Sequence, residues 1–402
     1  MRLQFNFKYF VFLLVNIFAL YNLIPFPLNV VINSFLCFLI VVIDKSFCKK
    51  LGIKFYFWLL CTITITFISL MFLMFKGLYF GLEKNLKAIV IGAYNFFYIF
   101  ILYVEYSDLD FDFNIKFIFI FQLIVEGISF IRYINTYTVH RFHGTFPEPV
   151  VMGFWCGVCF FIVLLQFESK WKYIIALFLI YILYFHCKAK FALLAFPLAI
   201  FFALFYRITV SKRQNILLVL IFIVIIGLYA LNSTYIIIKY LTFIKNHIEI
   251  NATNTFVTRF FYLLEALQNL FINPFGVGFG LEYELYYPYF QPYIEIANNV
   301  GVDTSEISQY INPNTIIEKE SISIISGHFG MVGILIYLAY FLKIRRQICK
   351  RKFLVNALML YVFFESFFCI TFYGNLVFIY AKIAINKYLN TSKIQPKGCY
   401  LC

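Results

Sequence analysis

Two arginines, two histidines and a glutamate crowd into residues 132–148, RYINTYTVHRFHGTFPE, between two long apolar runs. Guanidinium groups bind phosphate oxygens in bidentate fashion, and imidazoles and carboxylates move protons near neutral pH. Arg132, His140, Arg141, His143 and Glu148 sit together beside the membrane, with Glu148 a candidate for proton transfer or sugar binding. Pro147 and Pro149 bracket Glu148. Proline fixes its own backbone angle and restricts the residue before it, so Glu148 is expected in an extended turn. The plainer alternative is an interfacial glutamate paired to Arg141.

A second set lies in the segment 232–321, the longest stretch without a membrane-length apolar run. Loops of such length are usually functional. Within it TFVTRFFYLLEALQNLF (255–271) repeats apolar residues at helical spacing, which predicts a helix lying along the membrane interface. Arg259 stands near its start, as a snorkelling cation or a phosphate anchor. Asn273 and Pro274 stop the helix, and GVGFG (276–280) predicts a flexible turn where backbone can approach a ligand. A third, smaller feature is the short turn Cys187-Lys188-Ala189-Lys190. Its two cations either meet a pyrophosphate or cap helix ends. His328, in SGHFGMVG, either has a function or bonds a neighbouring carbonyl, and the glycines around it predict close helix packing.

The elements that hold these residues are membrane spans. Hydrophobic residues make up 63% of the 402 residues and charged ones 13%, too little polar surface to coat a soluble core of that size. Apolar runs long enough to cross a bilayer recur near 9–25, 27–43, 55–75, 86–104, 115–131, 149–167, 172–187, 190–206, 215–231, 322–342, 353–372 and 374–389. In hydrocarbon such runs must be helices. The expectation is an all-α polytopic membrane protein of about twelve spans, with 1–402 as a single integral membrane domain.

Basic clusters orient it. Lys45, Lys49, Lys50 and Lys54, then Arg207, Lys212 and Arg213, then Lys343 to Lys352, all fall on one side, the cytoplasm. That places 132–148 and 232–321 outside. Two segments fit less well: Lys76, Lys84 and Lys87 fall outside, and Glu105, Asp108, Asp110 and Asp112 inside. The net charge of +14 is read as a topology signal with some anionic-lipid contact, not as a nucleic-acid footprint. Cys156 and Cys159 form a CxxC inside a span, where small buried hydrophobes are the expectation. No metal site or cofactor is expected.

At this point the residues resemble a family. RFHGTFPEPVVMG (141–153) is similar to the Arg-x-x-Gly-x-Phe-x-Glu-Pro stretch of bacterial O-antigen polymerases of the Wzy type. TRFFYLLEALQNLFINPFGVGFG (258–280) is similar to their late-loop pattern, and the span arrangement resembles theirs over nearly the whole chain. Lys188 and Lys190 depart from the Ser-Arg often found there. The resemblance implies the C-class membrane glycosyltransferase fold and a metal-free reaction at the periplasmic face of the inner membrane. A growing glycan on undecaprenyl pyrophosphate would pass to a hydroxyl of the next lipid-linked repeat unit, with a chain-length regulator as a further partner. Arg132, Arg141, Arg259, Lys188 and Lys190 would stabilise the leaving pyrophosphate, with His143 also at the substrate, and Glu148, then Glu320, would serve as base. The alternatives are an O-antigen ligase, which passes glycan to lipid A–core, and a flippase of lipid-linked sugar. A flippase would carry its charges within spans lining a cavity, whereas here they crowd the outer loops, with Glu126 and Glu365 as intramembrane exceptions.

Overall fold

The computed structural model describes residues 7–18, 28–44, 47–136, 141–146, 149–208, 234–247, 250–310, 321–347, 353–365 and 371–394. In chain order the helices are α1 (Phe7–Phe18), α2 (Leu28–Ile43), α3 (Phe47–Lys76), α4 (Leu82–Tyr106), α5 (Phe113–Asn135), α6 (Pro149–Gln166), α7 (Trp171–Tyr181), α8 (Lys190–Ile208), α9 (Thr234–His247), α10 (Ile250–Ile272), α11 (Glu282–Val300), α12 (Ser305–Tyr310), α13 (Ser321–Gln347), α14 (Phe353–Glu365) and α15 (Thr371–Ile394). A π-helical turn, Ile182–Cys187, extends α7. No strand occurs among the described residues. Among the described residues, five stretches are long and apolar enough to cross a membrane: Lys50–Lys76, Leu82–Tyr106, Phe113–Asn135, Pro149–Gln166 and Ser323–Lys343. This is the architecture of a polytopic membrane protein. The span expected at 215–231 lies outside the described residues.

Two compact units divide the chain. The first comprises 1–52, 97–210 and 341–402. Its centre is α6, buried along most of its length, with Trp155, Cys156 and Phe161 sealed from solvent. Helices α7, α8, α14 and α15 pack against it. Gly157 lets Tyr361 of α14 come close, because a Cβ there would overlap the phenol ring. The outward face of α5 carries Ile124, Ile128 and Ile131, all exposed, as a lipid-facing surface requires.

One end of this unit neutralises the acidic segment that fits the charge rule less well. Glu105, 2% exposed, accepts from Lys50 Nζ at 3.0 and 3.2 Å and pairs with Lys8 Nζ at 3.2 Å. Lys50 also bonds Asp44. Asp112 caps α5 through Ile115 N (2.9 Å) and accepts from the Tyr9 hydroxyl (2.6 Å). Acidic residues here thus accompany the lysines of the basic side, and carboxylates weigh little in topology.

The second unit comprises 53–96 and 211–340. Its late segment is more structured than the single interfacial helix expected. Helices α9 to α12 share an apolar core that includes Ile237, Leu241, Phe261, Phe290, Ala297 and Ile307. The expected helix 255–271 is the bulk of α10, and α11 runs through Pro288 and Pro292.

The GVGFG turn is also different from expectation. Its glycines are held by the protein's own chain. Gly276 (φ 75°), Gly278 (φ 86°) and Gly280 (φ 65°) all take left-handed backbone, and added Cβ atoms would overlap the His328 carbonyl, Thr66 and the Ala88 carbonyl respectively. Glycine alone adopts these angles without cost where backbone approaches so closely. Helix α13 leaves helical geometry at Gly330 (φ 59°, ψ −149°), which frees backbone groups inside an apolar span. The turn satisfies them: Val277 N donates to Gly327 O (2.8 Å), Gly278 N to His328 O (3.2 Å), and Met331 N to Pro274 O (2.8 Å). Gly330 is thus both a helix break and a close contact, because a Cβ there would overlap Gly276 N and Pro274 O.

This packing makes a paired prediction. Gly278→Ala adds strain and a clash with Thr66, and should cost roughly 2 kcal/mol or more. Gly127→Ala on α5 meets nothing within 4 Å and should be neutral or gain up to about 1 kcal/mol. Thermal unfolding of the two purified variants in detergent checks this, and equal midpoints would contradict the interlocked turn.

Candidate functional site

The geometry starts from a carboxylate inside a span. Glu126 lies on α5, nine residues before its end, about 14 Å along the axis at the rise of an α-helix. It is 4% exposed. An unpaired carboxylate at such a place is costly, and three donors meet this one. Thr145 N donates at 3.2 Å, Gln122 Nε2 at 3.1 Å, and the Thr145 hydroxyl makes a further bond. The loop 141–146 therefore dips toward the helix to reach Glu126. Gly144 (φ 59°) permits this, since a Cβ there would overlap Glu126 Oε2.

Two aromatic anchors hold the loop from either side. Phe142 is buried against Phe130 (5.1 Å) and Tyr133 (5.2 Å), and its N–H donates to His186 O at 3.0 Å. Phe146 is buried against Trp155 (6.0 Å). Between them the chain closes a turn, with Phe146 N donating to His143 O (3.0 Å). His143 Nδ1 stands 2.7 Å from Phe146 O. A carbonyl oxygen only accepts, so Nδ1 carries the proton.

The end of α7 completes the site. The π turn closes with Lys188 N donating to Leu183 O at 3.2 Å. Lys188 takes a left-handed backbone (φ 46°), which no other described non-glycine residue does. Its carbonyl accepts from Arg141 Nη1 at 3.5 Å. His186 is enclosed by the rings of Phe130 (4.8 Å), Tyr181 (5.1 Å) and Tyr133 (5.8 Å). Arg132 is exposed in the last turn of α5, where a cation suits the helix dipole. Lys190 is the first residue of α8.

Of the residues the sequence singles out, Arg141, His143 and Lys188 are thus brought into one loop-and-turn assembly, with Arg132 on the adjoining helix. His140, Glu148 and Glu320 lie outside the described residues. Arg259 belongs to the second unit and is 4% exposed on α10, so the snorkelling alternative is overturned by burial. Sequence reasoning missed the roles of Glu126 and Thr145. The available signal was a carboxylate inside an apolar run, which needs a partner, and Thr145 is a short polar residue in the nearest loop.

In the second unit, His328 also proves to have a carboxylate partner. Its Nε2 lies 3.1 Å from Glu282 Oε1 and 3.2 Å from Gly280 N. Glu284, buried, accepts from Tyr79 N (2.9 Å), Phe80 N (3.1 Å) and Asn85 Nδ2 (2.5 Å), and so holds the turn that leads into α4. The first turn of α11 thereby ties the late segment to the hairpin between α3 and α4.

No family model, curated protein or solved structure matches the chain.

Glu126→Ala removes the acceptor of three hydrogen bonds and leaves Thr145 N unsatisfied. The expected cost is about 1–3 kcal/mol, concentrated in the loop. Glu126→Gln keeps the acceptor oxygen and should cost less. Protease cleavage rates within 137–146 check this: cleavage should rise most in the alanine variant, and equal rates in wild type and both variants would refute the anchoring role.

Proposed function

We propose that the chain is an O-antigen polymerase, a glycosyltransferase of lipopolysaccharide biosynthesis in the bacterial inner membrane. It has about twelve spans in the C-class glycosyltransferase arrangement, with its site at the periplasmic face. The donor is a glycan on undecaprenyl pyrophosphate and the acceptor is the next lipid-linked repeat unit. The observation that carries this reading is the cationic assembly of Arg141, on a loop held to α5 by Glu126, and Lys188, at the end of α7, with Arg132 nine residues before Arg141 in the chain.

Fixed cations are what pyrophosphate departure asks for. Charge develops on the leaving phosphate oxygens, and groups already in place stabilise it without reorganising. Arg141 supplies the bidentate fork and Lys188 a point charge. Both are exposed, so a lipid-linked substrate can reach them. The motif residues also acquire physical reasons. Gly144 yields its side-chain space to Glu126, and Phe146 fills the space beside Trp155. Glu126 is committed to the loop, which weakens the flippase alternative that intramembrane charges had raised.

Two measurements test the reading. Purified protein given the cognate lipid-linked repeat unit should build a ladder of polymers. Absence of a ladder, or transfer only to lipid A–core, would overturn it. Within that assay Arg141→Ala should slow polymerisation by about ten- to a hundredfold, the worth of one charge-assisted hydrogen bond. Lys188→Gly is the more telling variant. Glycine accepts the left-handed backbone freely, so stability should hold or rise while activity falls. An unchanged rate in Lys188→Gly would remove Lys188 from the site.

A further inference from the structure

We infer that His143 accepts the proton of the acceptor hydroxyl, through Nε2, in the transfer proposed above; the inference rests on that reading. Four observations place it there. First, Nδ1 carries a proton and donates it to Phe146 O at 2.7 Å, so in the neutral ring the lone pair lies on Nε2. A backbone carbonyl that holds one ring nitrogen in this way fixes both tautomer and orientation. Second, among the described residues no hydrogen bond occupies Nε2, and the side chain is partly exposed. Third, the turn is rigid. Phe146 N closes it onto His143 O at 3.0 Å, Phe142 and Phe146 are buried on either side, and Thr145 is bonded to Glu126. A base held this way loses little freedom on reaction. Fourth, His143 is two residues from Arg141, so a proton acceptor and a phosphate-binding cation share one pinned loop.

The step balances as follows. The O–H bond of the acceptor sugar breaks and its proton moves to Nε2. The oxygen's electron pair forms the new bond to the donor's anomeric carbon. The bond from that carbon to pyrophosphate breaks, and its electron pair leaves on undecaprenyl pyrophosphate beside Arg141 and Lys188. The imidazolium then returns its proton to water. Other charged or titratable groups around the loop include Glu126, Arg132 and Tyr133 on α5, Cys156 and Cys159 on α6, Tyr181, His186, Cys187 and Lys188 at the end of α7, and Arg141 on the loop itself. Glu126 is engaged by Thr145 and Gln122. His186 Nε2 has no hydrogen-bond partner among the described residues but is sealed from solvent among aromatic rings, so a substrate hydroxyl reaches the partly exposed His143 instead.

Two substitutions separate this role from a structural one. His143→Asn keeps an amide N–H at the Nδ1 position and removes Nε2. His143→Gln keeps a polar atom near Nε2 and removes the bond to Phe146 O. In steady-state polymerisation with purified protein, His143→Asn should melt like wild type. Its KM for the lipid-linked acceptor should stay within about threefold, while kcat falls by about 10²- to 10⁴-fold, the usual contribution of a general base. Added imidazole should restore part of the rate in His143→Ala. A His143→Asn protein that polymerises at the wild-type rate sinks the assignment and leaves the polymerase reading intact. So does one whose loss appears only in KM or in melting. If wild type itself builds no polymer from the cognate substrate, the underlying reading fails and the step fails with it.

Discussion

A single buried carboxylate organises the first unit. Glu126 stands within an apolar helix where an unsatisfied charge or polar group is expensive. The chain meets that demand with Thr145 and Gln122, and in doing so draws the 141–146 loop toward α5. The local arrangement follows from this. Gly144 must be glycine because the carboxylate fills its side-chain space. Phe142 and Phe146 are carried into aromatic pockets, and Arg141 and His143 are left facing outward on a loop with little freedom. Preorganisation of this kind usually comes from rigid secondary structure under a loop, and here a helix residue supplies it.

The second unit solves a similar problem with backbone groups. Gly330 interrupts α13 inside an apolar span, and the carbonyls and amides freed by the break need partners. The 274–278 segment provides them, which is possible only because its glycines take left-handed angles against neighbouring backbone. His328 is then held beside Glu282 and Gly280, under the rings of Phe279 (5.7 Å) and Phe329 (5.6 Å). A histidine that reads as solitary in the sequence is therefore one member of a buried polar cluster. Glu284 extends the same logic, with a carboxylate from α11 satisfying backbone amides of the turn before α4, some two hundred residues earlier.

Charge placement in the first unit shows why a simple count misleads. Glu105 looks out of place in a segment that basic residues assign to the cytoplasm. It is in fact the partner of Lys8 and Lys50, from two other helices. These acidic residues follow the lysines beside them for local neutrality.

The sequence by itself determined the class of the protein. Apolar runs of membrane length leave helices as the only solution, and that follows from hydrocarbon's inability to bond a bare backbone. It also marked Arg141, His143 and Lys188, because charged or titratable groups at span ends are conspicuous in so apolar a chain. What it did not determine was which of them meet. Glu126 and Thr145 are nineteen residues apart, and Gly330 and Pro274 more than fifty. No periodicity reports such pairings, since they arise only when buried polar groups must find partners across the packed fold. The tertiary structure decided that the GVGFG turn serves the protein's own backbone and that Arg259 is buried. It also brought the RFHGTF loop and the Lys188 turn into one assembly.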